Sequence, residues 1–363
     1  MKKIRVLICV YNISGYLMAG VRKLLEHADV LLVQSPAYEV LTGDEQLRNR
    51  CEWIDCDPSC KSREILQKVC AWKPDVLLCA GWNYPLFMQI AKKLHAQGCS
   101  TVVWVDTIWR NDFKQKFHAL LAPFYLVPRF DYGWGAGEGQ VKNLRHIGFK
   151  ENQVFKGCYA ADSDRFSRIC MIDQKPWPHR FLYIGRYIEA KNLSRMFRAF
   201  IHATETVKES DWELVCVGSG KGKVWKERAI HPRIHHLGYC PPAKMADTLP
   251  PVGCFVLPSV FEPWGLVVQE CAIMGLPLFC SSAVHATEAY LVDGKNGFIF
   301  EPYDEEAMAH VFEKIMRMPD DALREMGMKS RELGLSYTSE DWANRVMAFS
   351  KAPRATDRLE SLK

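Results

Sequence analysis

Short apolar runs alternate with longer amphipathic stretches along most of the chain, and that alternation leaves few folds open. Runs at 4–10, 30–33, 76–79, 101–105 and 132–134 occupy the first half, and runs at 181–184, 214–217, 254–257, 278–280 and 298–300 the second. Most are apolar at successive rather than alternate positions, the pattern of parallel strands covered on both faces. Helix-length segments lie between them, among them 192–202, 263–274 and 305–316. Repeated over both halves, this predicts an α/β protein of two doubly wound, Rossmann-like domains. With 363 residues, 48% hydrophobic and 25% charged, the chain can build two such cores.

The break falls at 157–180. Residues 157–164 read as a loop, and Pro176-Trp177-Pro178 as a stiff turn before the next strand. The expected domains are 1–165 and 166–339, with the C-terminal segment 340–363 packing back on the first as a helix with a charged end. Ligands in open α/β sheets bind beyond the carboxyl ends of the strands. Two such halves therefore predict a central cleft.

The net charge is +5, from 47 basic and 42 acidic residues. That is too mild for a nucleic-acid binder, and it suits an anionic substrate or an anionic membrane surface equally. Met1-Lys2-Lys3 resembles the start of a secretory signal, but the apolar run that follows is short and is broken by Asn12 and Gly15. No stretch reaches the length of a transmembrane helix. The expectation is a cytoplasmic protein whose 14 cysteines are small buried hydrophobes. Cys51, Cys56 and Cys60 contain no C-x2-C pair.

Two segments carry the candidate chemistry. In the first, a strand at 254–257 gives way to a loop with Glu262, a helix start near Trp264, and Glu270 eight residues beyond Glu262. Pro263 and Gly265 suit a helix start, whose free amides favour an anion. The two carboxylates lie too far apart to share a proton; each can instead accept paired hydrogen bonds from hydroxyls. In the second segment, a strand runs into Gly185, Arg186 and Lys191 before a helix. Arginine offers a planar fork and lysine a point charge to phosphate oxygens. Taken singly, these cations read as a solvated face and the acids as a chance spacing; together, at one sheet edge, they define a site for an anion bearing hydroxyls. None of the apolar runs above leads into a DxD triplet, so the positive charge is expected to come from the protein rather than from a metal.

Other motifs lead nowhere. Residues 133–139 are glycine-rich without the dinucleotide spacing, and 218–223 fails as a P-loop because Val217 and Val224 stand at required positions. Histidines 231, 235 and 236 have one metal-like spacing, but the expectation is that no nearby acid or cysteine completes a zinc site. Neither half opens with the fingerprint of a nicotinamide dehydrogenase.

With Gly218-Ser219-Gly220 after the strand at 214–217, these segments resemble the retaining glycosyltransferases of family 4 (the group 1 glycosyltransferases), which have the GT-B fold. The resemblance covers about 155–350. It rests on the Glu-x7-Glu pair (Glu262, Glu270), on Gly185-Arg186 with Lys191, and on the turn Asp293-Gly294-Lys295-Asn296-Gly297. Residues 157–166 resemble the family's linker, with Lys156 where it has asparagine. The resemblance implies that Arg186 and Lys191 hold the donor diphosphate and that Glu270 holds the ribose. It further implies that Glu262 touches the transferred sugar, that the amides of Gly265, Leu266 and Val267 cradle phosphate and sugar, and that Gly238 and Tyr239 grip the base. Where the family has a Gly-Gly-x-x-Glu loop, only Glu288 is kept. Where many members have a histidine facing the donor sugar, Asp106 stands instead, as a catalytic candidate or as the cap of a helix beginning at 107 or 108. Gly15 serves a tight turn, approaches the donor, or both.

The implied activity is retaining, metal-independent transfer of a sugar from a UDP- or GDP-sugar to a glycan or lipid-linked glycan, in cell-surface polysaccharide or lipopolysaccharide biosynthesis, without cofactor. Its rivals are a nucleotide-sugar epimerase, a phosphorylase of longer chain, and a non-catalytic nucleotide-sugar or glycan-binding subunit. Trp109, Phe113, Phe117, Leu120, Leu121 and Phe124 recur at helical spacing among basic residues. Either this helix packs on the N-terminal sheet, or it meets the inner membrane leaflet as a peripheral anchor.

Overall fold

The computed structural model describes residues 3–11, 13–35, 47, 49–56, 62–226 and 228–352. Met1, Lys2, Asn12, Cys60 and the charged end at 353–363 lie outside the described residues. The chain divides into two compact units, Met1–Ala160 with Thr338–Lys363, and Ala161–Tyr337.

The first unit holds a seven-stranded parallel sheet. Its strands are β1 (Ile4–Val10), β2 (Ala28–Gln34), β3 (Glu52–Asp55), β4 (Val76–Ala80), β5 (Ser100–Val105), β6 (Tyr132–Gly135) and β7 (Val154–Lys156), in the order β3-β2-β1-β4-β5-β6-β7. From Val6 to Val10 every β1 side chain is buried, as are all of β4 and β5. These central strands have helices on both faces, so nearly every buried position is apolar, the exceptions being Ser100 and Thr101 at the start of β5. The helix Ser339–Phe349 packs on the helix Gly15–Leu24, where Trp342 lies so close over Gly20 that an added Cβ would stand 2.5 Å from its ring. The Trp342 indole donates to the Cys158 carbonyl at 3.0 Å.

The second unit holds a six-stranded parallel sheet. Its strands are β8 (Arg180–Ile184), β9 (Glu213–Val217), β10 (Ile234–Gly238), β11 (Cys254–Leu257), β12 (Leu278–Ser281) and β13 (Gly297–Phe300), in the order β10-β9-β8-β11-β12-β13. Strand order reverses direction between β8 and β11, as it does between β1 and β4 in the first unit. Phe181, Phe200, Phe279 and Phe312 pack edge-to-face in the core, joining β8 and β12 to the helices Leu193–Thr206 and Glu305–Met316.

The turn at 293–297 is a clasp. Asn296 is fully buried; its amide donates to the Tyr290 carbonyl and the Ser330 hydroxyl and accepts from Val292 N–H. Asp293 accepts from Ile299 N–H, and a Cβ at Gly297 would meet the Leu278 carbonyl oxygen at 1.7 Å. The described cysteines are free thiols, most of them buried. Among the described residues no helix is long and apolar enough to cross a membrane.

Candidate functional site

In the second unit the sequence candidates converge on the loops leaving the carboxyl ends of β8 and β11, at the switch point where an open α/β sheet leaves room for a ligand. After β8 the chain passes Gly185 and Arg186 and makes one tight turn, Glu189–Lys191. Asn192 follows in the left-handed region at φ 57°. Its buried side-chain amide donates to the Pro258 carbonyl at 3.1 Å and to the Pro302 carbonyl at 2.6 Å. Val260 N–H donates to the Ala190 carbonyl at 2.9 Å. The loops after β8, β11 and β13 are thereby tied together.

Across this junction Lys191 Nζ donates to Glu262 Oε2. Both side chains are largely shielded, 13% and 15% exposed, so water screens their attraction weakly. The Glu262 backbone is pinned as well, its N–H donating to the Ala283 carbonyl and its carbonyl accepting from His285 N–H. Gly265 has φ 94°, and a Cβ there would stand 2.9 Å from Glu262 Cγ. Only glycine lets the loop pass this carboxylate.

Arg186 is exposed, and among the described residues no acid pairs with its guanidinium. Its carbonyl is fixed by the fully buried Tyr183, whose hydroxyl donates to it at 2.9 Å. Burial pushes that hydroxyl well above its ordinary range; Glu262 adds to the shift and Arg186 opposes it. Tyr183 was not singled out from the sequence, where it reads as one more apolar strand residue.

Gly185, Gly218 and Gly238 continue the edge across β8, β9 and β10. Gly185 N–H donates to the Val217 carbonyl, and Gly218 N–H to the Gly238 carbonyl. A Cβ on Gly218 would stand 1.9 Å from the Gly185 carbonyl oxygen. Gly238 has φ 75° with open space beside it, and Tyr239 is exposed.

The helix expected to begin near Trp264 begins at Val267 and runs to Ile273. Trp264 is instead a buried loop residue whose carbonyl accepts from Ala286 N–H, which postpones the helix. Gly265 and Leu266 lead into it, and their carbonyls accept from Val268 and Glu270 N–H. Glu270 lies on its first turn, half-buried. Burial raises its carboxyl from 4.5 to about 7; Arg165 opposes the shift and Asp162 adds to it. Arg165 and Asp162 come from the short helix Ser163–Ser167 and its cap. Sequence reading missed both as partners of Glu270, although they stand in the linker motif. Glu288 is exposed on the short helix Thr287–Tyr290.

The histidines set aside from the sequence are engaged locally. His235 meets Glu213 at 3.1 Å, and His236 bridges the Tyr187 hydroxyl and the Ala229 carbonyl.

Asp106 and Gly15 belong to the first unit. Asp106 is exposed just past β5 and caps no helix; the next one, Phe113–Tyr125, is capped by Asp112, which accepts from Gln115 N–H at 2.9 Å. Asp106 lines a cavity of about 230 Å³ at the carboxyl ends of β1, β4 and β5, with Tyr11, Tyr16, Gly81, Trp82 and Tyr159. Burial lifts the Tyr16 hydroxyl to about 12, and its ring meets Tyr159 edge-on at 5.0 Å. Gly15 makes no tight turn; it is the first residue of its helix, and its neighbour Tyr16 reaches the cavity. A larger cavity, about 630 Å³, opens near Lys73, Asp75 and Gly98, at the amino ends of the strands and away from these groups.

Residues 173–333, most of the second unit, match the family described as Glycosyl transferases group 1. The O-antigen chain mannosyltransferase B of Escherichia coli is 29% identical over 169 residues, 42% of this chain and 40% of that protein. The chain thus spans less than half the length of that relative. Over nearly the whole chain the fold matches a glycosyltransferase from Rickettsia africae, with TM-score 0.72 and 13% identity over 97% of this chain and 98% of that one. It also matches Anabaena HepE in complex with UDP and glucose, with TM-score 0.70 and 12% identity over 96% of this chain and 99% of that one. The pair of parallel Rossmann-like sheets is the GT-B fold.

Proposed function

We propose that this protein is a retaining glycosyltransferase that moves a sugar from a UDP- or GDP-sugar to an acceptor hydroxyl without a metal ion. The observation that carries this reading is the junction of Arg186, Lys191 and Glu262 on adjoining loops at the β8/β11 switch point. Two cations on adjoining loops, one of them held by a carboxylate, suit a diphosphate that leaves from a hydroxyl-rich sugar. The family match over the second unit and the folds of the relatives support the same class.

In the proposed reaction the bond between the anomeric carbon and the diphosphate oxygen breaks, and its electron pair leaves with the diphosphate. Arg186 and Lys191 stabilise the charge that develops there. The acceptor oxygen bonds to the anomeric carbon on the face that the diphosphate leaves, so configuration is retained. The acceptor proton passes to the departing phosphate oxygen. Glu262 orients the transferred sugar, and Glu270 accepts hydrogen bonds from the ribose. Gly265, Leu266 and Val267 line the donor's phosphates, while Gly238 and Tyr239 bound the base. The acceptor is a glycan or lipid-linked glycan of the cell surface, and the cavity beside Asp106 is its site.

Thermal shift with a panel of nucleotide sugars tests the donor site. A donor at 100 times its Kd adds about 2.7 kcal/mol of stability. A UDP- or GDP-sugar should stabilise the wild type and leave Glu270→Ala and Arg186→Ala unmoved. No shift with any nucleotide would overturn the reading.

A further inference from the structure

The helix Phe113–Tyr125 faces the wrong way for a helix of a soluble unit. Its one buried residue is Ala122, while Phe113 and Phe124 are 82% exposed, Leu120 67%, Phe117 56% and Leu121 42%. At 3.6 residues per turn these five side chains fall within an arc of about 100°. Ala122 lies opposite that arc. Lys114 and Lys116 border it, one on each side, and both are exposed. Scattered exposed apolar residues are ordinary, but five on one stripe make a patch that needs a partner.

The surrounding charge selects the partner. From 109 to 130 the basic residues are Arg110, Lys114, Lys116 and Arg129, and the one acid is Asp112. Asp112 is occupied as the helix cap, with Arg110 3.4 Å away. The rim is therefore cationic on both sides. A second copy docked through the same stripe would bring like charges together. An anionic bilayer surface would accept the aromatic face among its acyl chains and the lysines among its phosphates. The helix is also held to the functional part of its unit, because His118 stacks on Trp82, a wall of the cavity beside Asp106, at 5.2 Å and 13° between ring planes.

We propose that the helix Phe113–Tyr125 lies in the interface of an anionic membrane, with Phe113, Phe117, Leu120, Leu121 and Phe124 inserted and Lys114 and Lys116 on the lipid phosphates. This rests on the exposed stripe and its charged borders, and stands apart from the sugar-transfer reading. The test is flotation of the full chain with phosphatidylglycerol-containing and pure phosphatidylcholine vesicles at low and high salt. The wild type should float with the anionic vesicles at low salt, at least ~10-fold more than with neutral ones. Phe113→Ser with Phe124→Ser should reduce flotation by a similar factor, and Lys114→Glu with Lys116→Glu should abolish the lipid preference. Melting temperature should stay unchanged, since these side chains are in solvent. Should the phenylalanine variant fail to fold, Phe124→Trp read by brominated-lipid quenching replaces it; quenching supports insertion and its absence overturns it. No flotation by the wild type overturns the proposal. So does a lipid-free dimer, seen by sedimentation, that the phenylalanine substitutions break.

Discussion

Lys191 and Glu262 stand 71 residues apart in sequence, and their side chains close an ion pair where the loops after β8 and β11 meet. Neither residue lies on an α-helix, although Lys191 closes the single turn Glu189–Lys191. Each is delivered by a strand end and then locked by backbone bonds, through Asn192 and Val260 on one side and Ala283 and His285 on the other. The pair should behave as a unit. Removing either partner alone strands a shielded charge, at a cost on the order of 2–4 kcal/mol in stability. Lys191→Ala with Glu262→Ala should cost clearly less than the sum of the two, as measured by urea denaturation. Strict additivity would show that the two side chains do not sense each other in solution.

Arg186 should matter for rate and not for stability. It is exposed, with no acid paired to it among the described residues. Arg186→Ala should leave the melting temperature within about 1–2 °C while lowering kcat about 10²–10³-fold, the usual loss for one aimed cation or donor. An equal fall in both would mean that the residue holds the loop rather than the donor.

Glu270 predicts a pH dependence with a definite sign. Its carboxyl titrates at about 7 in the folded protein against an ordinary 4.5. Between those values the unfolded chain has already lost the proton that the folded chain retains. Stability therefore falls as pH rises through this window, by at most ~3 kcal/mol, and the contribution is flat outside it. Glu270→Gln should remove the effect, so its melting temperature should gain on the wild type from pH 4.5 to 7. A constant offset across that range would contradict the raised value.

Asn192 combines a backbone role and a side-chain role that substitution can separate. Asn192→Gly keeps the left-handed conformation and loses the bonds to Pro258 and Pro302; Asn192→Ala loses both. Each abandoned buried carbonyl costs about 1–3 kcal/mol. Both variants should be destabilised, alanine by roughly 1 kcal/mol more. Equal losses would show that the backbone there relaxes freely.

Gly218→Ala should be among the most damaging single-methyl changes in the chain. The new carbon would stand 1.9 Å from the Gly185 carbonyl oxygen, at a backbone φ of 144°. Backbone must move, at roughly 3 kcal/mol or more, and the β8–β9 edge moves with it. Calorimetry and nucleotide binding should both register the change; a variant normal in both would mean that the edge yields easily.

The central strands were legible in the sequence because burial on both faces makes them apolar at nearly every position. The runs at 4–10 and 254–257 coincide with β1 and β11 to the residue. The strands that sequence reading missed are β3, β7 and β10, and all three are sheet edges. There Trp53 and Phe155 are only partly buried, and His235 and His236 face polar partners, so no apolar run forms. Arg186, Lys191 and Glu262 were legible as motif residues, whereas the contacts that hold them were not. Tyr183 and Asn192 act through folded geometry, and Trp82 and Tyr159 meet in one cavity from distant segments. The helix at 113–125 was legible, but its spacing cannot say which way the stripe faces. Its start was set too early, because Trp109 stacks on His146 outside the helix and Asp112 provides the cap.

Trp342 covers Gly20 from a segment that the ribosome makes last of all the described helices. All of Ala161–Tyr337 is synthesised between the first unit's sheet and the helix that closes it. At about 5–20 residues per second that interval lasts roughly 10–35 s. Throughout it the nascent first unit lacks the helix that covers Gly20, and by its end the second unit already has its whole sequence. The order of completion is thus the reverse of the order of initiation. The half that begins first waits for a segment made after the whole of the other half for its last wall.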